Sequence, residues 1–220
     1  MRILGISTAA GVASFGLIDE EKVLAEGTLS GNIAEKILFY VKEAGIEPKD
    51  IDGISVAVGP GSYSGLRAGV ATAKTLAQTL SIPIVGVPTL DAIAYNFIDV
   101  QGTIAVILDA RSDEYNFALF GASNGKLNRL TDDIVIKLDR LADKLKKITG
   151  NIYLAGKLSE IKERIVGDNF HFADETNSYP YGINVAKIGL ALIKSGKTDD
   201  PIKLVPNYSH KPNIREYKKA

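Results

Sequence analysis

The 220-residue chain contains no cysteine and no excess of charge of either sign. Without cysteine it can form no disulfide bond, thiolate nucleophile or cysteine-bound zinc or iron–sulfur centre, and the cytoplasm is the simplest compartment for it. Lys plus Arg and Asp plus Glu are both 26, so no overall field attracts nucleic acid or an anionic membrane. Any RNA contact must be local or supplied by a partner.

Long apolar runs are absent as well. No run approaches the roughly 18 residues that a membrane span needs. Residues 1–18 alternate apolar and small side chains and lack the continuous apolar core of a signal peptide. We therefore expect no membrane association, and 220 residues suffice for one large domain or two small ones.

Metal-binding side chains are scarce. The two histidines, His171 and His210, have no partner at ligand spacing, so each is expected to be a surface or packing residue. The phosphate loop of the nucleoside triphosphatases is also missing, because Leu66 and Arg67 stand where Lys and Ser or Thr are required.

The pattern of apolar segments predicts an α/β fold with an internal duplication. In the first half we predict strands at 2–7, 13–18, 22–29, 51–58 and 83–87, and helices at 33–44, 64–80 and 90–97. In the second half we predict strands at 103–108, 114–120, 127–136 and 152–155, and helices at 138–148, 158–165 and 185–195.

This repeated βββαβα order predicts two similar mixed-sheet lobes with a cleft between them. Residues 1–100 would form the N-terminal lobe and residues 101–220 the C-terminal lobe, and the chain end could return to the first lobe. The turn after Ile6-Ser7-Thr8 and the turn after Leu108-Asp109-Ala110 hold corresponding places in the two halves. We expect both turns to face the cleft.

A glycine-rich turn lies between the predicted strand 51–58 and the long helix that follows it. Gly59, Pro60 and Gly61 end the strand, and Ser62 or Ser64 can cap the helix. A strand, a tight turn and a helix N-terminus can cradle an anion. An ordinary βα turn is the favoured interpretation on local chemistry alone.

Several segments together resemble the TsaB family, formerly YeaZ. They are the motif turn with its helix start (Gly59, Pro60, Gly61, Ser62, Tyr63, Ser64, Gly65, Leu66, Arg67, Ala68, Gly69), Arg2-Ile3-Leu4-Gly5-Ile6, Ile107-Leu108-Asp109-Ala110-Arg111 with Glu114-Tyr115, and Pro206-Asn207-Tyr208. TsaB is the dimerisation subunit of the bacterial machinery that makes threonylcarbamoyladenosine at position 37 of tRNA.

The resemblance implies a two-lobed actin-like fold of the ASKHA, ribonuclease H-like type, without catalytic activity, cofactor or metal. It implies that the chain binds and stabilises the catalytic paralogue TsaD, that the ATPase TsaE joins the assembly, and that tRNA is met only through the complex. A homodimer is implied when TsaD is absent.

The expected inactivity can be checked against the residues. The metal histidines of TsaD would align near Thr89 and Ile93, neither of which ligates iron or zinc as histidine does. Ser7 stands where the family commonly keeps an Asp, and a hydroxyl cannot hold hydrated Mg²⁺ as a carboxylate does. Only one glycine remains in Leu154-Ala155-Gly156-Lys157, where active relatives have a glycine-rich adenosine loop. Ser7, Asp109 and Arg111 are therefore interpreted as a vestigial nucleotide cleft.

The helices at 33–44 and 64–80 are implied to dock on the matching helices of TsaD or of a second copy. The expected interface residues are Ile33, Ile37, Phe39, Tyr40, Leu66, Gly69, Val70, Ala73, Leu76 and Ala77. Small side chains allow close helix packing, so Gly69→Leu or Ala73→Glu is expected to block TsaD binding and leave the monomer folded. The alternative is that these residues pack only on their own sheet.

Two other classes of function remain open: an ATP-using kinase of the actin-like fold, and a metal-dependent peptidase. The kinase hypothesis keeps Asp109 and the turn from Gly59 to Gly61, whereas the peptidase hypothesis lacks its ligands. The chain departs from the family at Ile33-Ala34-Glu35, where His-Ser-Glu is common, and its end carries Arg215, Lys218 and Lys219. This basic end is expected to be solvated, with contact to tRNA or to an acidic face of TsaE as the alternative.

Overall fold

The computed structural model describes residues 1–20 and 22–209, which form two mixed sheets with helices on their faces. The first half contains β1 (Arg2–Ala10), β2 (Val12–Asp19), β3 (Lys22–Thr28), α1 (Ile33–Glu43), β4 (Gly53–Gly59), α2 (Tyr63–Leu80), β5 (Ile84–Pro88) and α3 (Thr89–Ala94). The second half contains β6 (Gly102–Asp109), β7 (Glu114–Ser123), β8 (Lys126–Arg129), β9 (Ile134–Lys137), α4 (Leu138–Lys146), β10 (Ile152–Gly156), α5 (Ser159–Lys162), β11 (Phe170–Phe172) and α6 (Gly182–Lys194).

The first sheet has the strand order β3-β2-β1-β4-β5. Strands β1 to β3 form an antiparallel meander, and β4 runs parallel to β1 and β5. Both faces of β1 are buried, since Leu4 and Ile6 lie in the core under α1 and α2 and Ile3 lies in the core under α6. Burial on both faces explains the nearly continuous apolar run of this strand.

The second sheet has the order β11-β10-β6-β7-β8, and β9 also pairs with β7. Each element of the first half has a counterpart here, so the duplicated order is confirmed and the fold is two-lobed. Leu141 and Leu145 of α4 pack on one face of this sheet with Ile107 and Phe117. The other face packs against α3.

The last helix of each half packs on the sheet of the other half. Leu90 and Ile93 of α3 lie in one core with Val106 and Phe120 of the second sheet. Ala186 of α6 lies in one core with residues of the first sheet. This exchange buries apolar side chains between the halves and joins the two lobes.

Several predicted element boundaries were wrong. The strand predicted at 127–136 is two strands, because the amides of Leu130 and Thr131 both donate to the Leu119 carbonyl and the Thr131 hydroxyl accepts from the Leu119 amide. This bulge interrupts the ladder before β9 resumes it. The helix predicted at 158–165 is only the short α5, and β1 continues three residues past Ser7, its predicted end.

Among residues 1–20 and 22–209, no helix combines the length and apolarity that crossing a membrane requires.

Candidate docking surface and interlobe cleft

The glycine-rich turn packs against the end of β1. The Ser62 amide donates to the Ala9 carbonyl at 2.7 Å, and the Ser62 hydroxyl caps α2 by accepting from the Gly65 amide at 3.3 Å. The Thr8 hydroxyl donates to the Gly65 carbonyl at 2.6 Å. A serine cap and a threonine from the neighbouring strand therefore fix the start of the helix.

The inner side of this turn is lined by backbone carbonyl groups. A β-carbon at Gly61 would overlap the Ala9 carbonyl oxygen, and one at Gly65 would overlap the Thr8 carbonyl oxygen. Carbonyl oxygens carry partial negative charge and repel anions. This geometry favours the ordinary βα turn over the phosphate cradle.

Six of the ten expected interface residues are buried inside this chain. They are Ile37, Leu66, Gly69, Val70, Ala73 and Ala77. Ile33, Tyr40 and Leu76 are half-buried and pack on the same core. A helix that covers a sheet presents its apolar and small stripe to that sheet, so the six buried side chains cannot contact a partner directly.

The positions of Gly69 and Ala73 do not fit the expectation that their substitution leaves the monomer folded. A β-carbon at Gly69 would overlap the Thr8 hydroxyl oxygen, and Ala73 is fully buried in the first core. Gly69→Leu and Ala73→Glu would therefore disturb the folded monomer itself.

Eight residues of α2 are exposed, and Arg67 is the charged one among them. The others are Tyr63 in the first turn and the uncharged Ser64, Ala68, Ala71, Thr75, Gln78 and Thr79. Both charged residues of this helix are engaged: Arg67 donates to the Tyr63 hydroxyl at 2.8 Å, and Lys74 donates to two backbone carbonyls. These six uncharged residues were not predicted as a surface from the sequence, although the spacing of Ala68, Ala71 and Thr75 could have indicated it.

Helix α1 contributes one exposed aromatic side chain. Phe39 is 55% exposed, and its ring meets the edge of the Tyr40 ring at 5.4 Å. Tyr40 stacks on Phe15 at 5.2 Å and is thereby held against the sheet. Helices α1 and α2 cover the same face of the first sheet, so Phe39 and the exposed face of α2 point to the same side of the molecule. The docking surface is defined here as Phe39 together with Ser64, Ala68, Ala71, Thr75, Gln78 and Thr79 of α2.

A cleft of about 710 Å³ lies between the lobes. Ala10 and Gly11 from the first turn and Asp109 from the end of β6 line it together, as expected for the two corresponding turns. Lys157 and Lys162 also line it. The cleft thus brings charges of both signs to one place.

The three residues expected at the cleft do not all lie there. Ser7 is fully buried within β1, because the strand continues to Ala10, and its hydroxyl has no hydrogen-bond partner among the described residues. Ser7 therefore does not line the cleft, and its prediction as a cleft residue was wrong. Arg111 lies with Asp109 in an adjoining hollow of about 80 Å³. No ion pair joins Asp109 to Arg111 in the described part of the chain.

The two positions expected to align with the metal histidines of TsaD are internal. Thr89 and Ile93 in α3 are both fully buried. Within residues 1–20 and 22–209, no group of three or more His, Asp or Glu side chains is placed to hold a metal ion. His171 is exposed, stacks on Tyr153 at 4.9 Å and lies 3.3 Å from the Asn151 side-chain oxygen. His210 and the basic residues Arg215, Lys218 and Lys219 lie outside the described residues.

Residues 24–205 match the profile of the family described as TsaD: tRNA N6-adenosine threonylcarbamoyltransferase. The chain is also 32% identical over 174 residues to the Bacillus subtilis tRNA threonylcarbamoyladenosine biosynthesis protein TsaB, covering 76% of each chain. It belongs to the TsaB family. The match to the TsaD profile fits this assignment, because it is the match expected for a paralogue of TsaD.

The solved structures similar to this TsaB family member support the fold. A Pseudomonas aeruginosa protein described as similar to the peptidase YeaZ superposes with a TM-score of 0.81 at 20% identity, covering 95% of this chain and 99% of that one. The ROK hexokinase of Thermus thermophilus superposes with a TM-score of 0.51 at 12% identity, covering 88% of this chain and 100% of that one. At these identities the likeness shows the fold alone, which is actin-like.

Proposed function

We propose that this chain is a non-catalytic subunit that binds and stabilises TsaD, and that the pair, with the ATPase TsaE, transfers a threonylcarbamoyl group to adenosine 37 of tRNA. The observation that carries the proposal is the docking surface: six exposed, uncharged residues of α2 together with an exposed phenylalanine on α1. The family assignment supports the pathway, because the Bacillus subtilis relative is named for threonylcarbamoyladenosine biosynthesis.

The docking surface has the chemistry of a helix–helix interface. The six α2 residues of the docking surface are no larger than glutamine and carry no charge, and the neighbouring Arg67 is hydrogen-bonded to Tyr63, so a second helix can approach closely without burying an unpaired ion. Phe39 supplies an aromatic anchor of the type that dominates binding energy. We infer that α1 and α2 form a small bundle with the matching helices of TsaD, and of a second copy when TsaD is absent.

This chain would act in the cytoplasm and contact tRNA only indirectly, as part of the complex. With balanced charge overall, it offers no broad electropositive field for RNA. Ser7 supports a non-catalytic role, because its side chain is a buried hydroxyl and not a carboxylate. A hydroxyl inside a strand cannot bind Mg²⁺ in the cleft.

Mixing with the cognate TsaD tests the proposal. Size-exclusion chromatography should give a 1:1 complex, and tRNA should be modified only when both proteins are present with TsaE, ATP and threonylcarbamoyl-adenylate. Separate elution of the two proteins, or modification by TsaD and TsaE alone at the full rate, would contradict it.

One observation favours a second candidate, an ATP-using enzyme of the actin-like fold. The cleft between the lobes is large enough for a nucleotide and is lined by Asp109, Lys157 and Lys162. Calorimetry with ATP and Mg²⁺ separates the two candidates, because this one requires micromolar binding by the isolated chain.

A further inference from the structure

Residues 199–209, here called the C-terminal strap, cross the first lobe after α6. The Asp199 amide donates to the Ile84 carbonyl at 2.8 Å, and the Asp199 carboxylate accepts from the Gly86 amide at 2.7 Å. The strap therefore starts on β5, the edge strand of the first sheet.

Helix α2 holds the middle of the strap through Lys74. The Lys74 ammonium group donates to the Ile202 carbonyl at 3.1 Å and to the Leu204 carbonyl at 3.0 Å. The Leu204 side chain packs on the core beneath the helix. A cation shared between two carbonyls fixes the strap at the side of α2 and leaves the docking surface open.

The strap then meets the glycine-rich turn. The Asn207 amide donates to the Val58 carbonyl at 2.6 Å. The Asn207 carbonyl oxygen occupies the place that a β-carbon at Gly59 would take, and Gly59 has a φ of +126°. The Gly59 turn therefore contacts the Pro206-Asn207-Tyr208 segment, which lies far from it in sequence.

Tyr208 completes this contact at the first residue of α2. Its ring lies 4.9 Å from the Tyr63 ring, and the Arg67 guanidinium lies 5.0 Å from the centre of the same Tyr63 ring. Ser209 follows and donates through its hydroxyl to the Asn116 side-chain oxygen on β7, in the other lobe. The strap therefore links the start of α2 to the second sheet.

We propose that the C-terminal strap is a positioning element that sets the orientation of α2, with Tyr208 and Lys74 as its positioning residues. The docking surface begins at Ser64, directly after Tyr63, and an 18-residue helix is about 27 Å long. A small tilt at the first turn therefore displaces the far end of the docking surface by several ångströms. This inference rests on the proposed function for its binding consequence, but not for its effect on α2.

Hydrogen exchange on the isolated chain tests the effect on α2. Tyr208→Ala should raise the exchange rates of the amides in residues 63–67 by about tenfold and leave those of β6 unchanged. Tyr208→Phe should behave as the wild type, because stacking on Tyr63 needs no hydroxyl. Val205→Ser is the matched control, since Val205 belongs to the strap and is 66% exposed. Lys74→Met is the second variant. It removes the two hydrogen bonds from Lys74 to the strap carbonyls and leaves the Tyr208 side chain in place.

Titration with TsaD tests the consequence for binding. Tyr208→Ala and Lys74→Met should each weaken binding by about tenfold, whereas Tyr208→Phe and Val205→Ser should not. Unchanged exchange in residues 63–67 of both variants would overturn the inference, and so would raised exchange with unchanged binding. If the wild-type chain does not bind TsaD, the proposed function fails, and the exchange result alone then decides whether the strap positions α2.

Discussion

The carbonyl oxygen of Thr8 lies against Gly65 so closely that any side chain at residue 65 would overlap it. The Thr8 hydroxyl also donates to the Gly65 carbonyl at 2.6 Å. This pair holds the start of α2 against the end of β1. The glycines of the motif therefore serve the packing of this chain on itself, and the docking surface lies on the opposite side of the same helix.

Substitutions on the inner side of α2 should destabilise the isolated chain. Gly65→Ala and Gly69→Leu place new atoms against Thr8 and should each lower the free energy of unfolding by about 2 to 3 kcal/mol. Ala73→Glu buries an unpaired charge and should cost about 3 to 5 kcal/mol. Urea unfolding followed by circular dichroism measures these changes, and wild-type stability in all three variants would contradict the packing described here.

A large charged side chain on the outer side of α2 should block the partner and spare the fold. Ala71 is exposed, so Ala71→Arg should leave the unfolding midpoint unchanged and weaken TsaD binding by about tenfold or more. Ala191→Arg is the matched control, because Ala191 is an exposed alanine on α6, away from the docking surface. Calorimetric titration compares the two; equal loss of binding in both would show that added charge alone, and not its place, is responsible.

Phe39 should be an anchor of the interface. Phe39→Ala should weaken TsaD binding by about 2 kcal/mol, or about thirtyfold in Kd, because it removes an exposed ring that a partner would bury. The stability of the isolated chain should hardly change. Tyr40→Ala provides the contrast, since loss of the stack on Phe15 should lower stability. A Phe39→Ala chain that binds TsaD as tightly as the wild type would exclude Phe39 from the interface.

Tyr115 should make stability fall at alkaline pH. Burial of Tyr115 and the hydrogen bond from its hydroxyl to Glu160, at 2.6 Å, raise the pKa of Tyr115 from 10.0 to about 12. Because the folded-state pKa lies above the unfolded value, this contribution is complete below about pH 10 and is lost as the pH rises through about 12. The difference in phenolate absorbance between the wild type and Tyr115→Phe should show this late titration, and Glu160→Gln should move it to lower pH. A titration near pH 10 in that difference would contradict the assignment.

The fold could be predicted well from the sequence because its signals are periodic. Apolar alternation and helical spacing gave the duplicated order, and the second half repeated the first. The break at Thr131 could not be predicted, because it depends on a side-chain hydrogen bond to Leu119 across the sheet. The position of Ser7 was missed for a related reason: the strand continues past the residue where the apolar pattern fades.

The two helices that carry the docking surface could be predicted from the sequence, but their exposed faces could not. A stripe of small and apolar residues indicates which face of a helix is packed, but the sequence does not say whether the packing partner is the chain's own sheet or another protein. Leu66 and Ala73 face the sheet, so the exposed face had to be found by exclusion. Phe39 was identifiable because two adjacent aromatic residues on a helix cannot both face the core.

The most direct measurement compares Ala71→Arg with the wild-type chain in titrations against the cognate TsaD, after both have been shown to unfold at the same urea concentration. We expect a 1:1 complex for the wild type and a loss of affinity of about tenfold or more for Ala71→Arg. Wild-type affinity in the Ala71→Arg chain would contradict it, because the exposed face of α2 would then not be where TsaD binds.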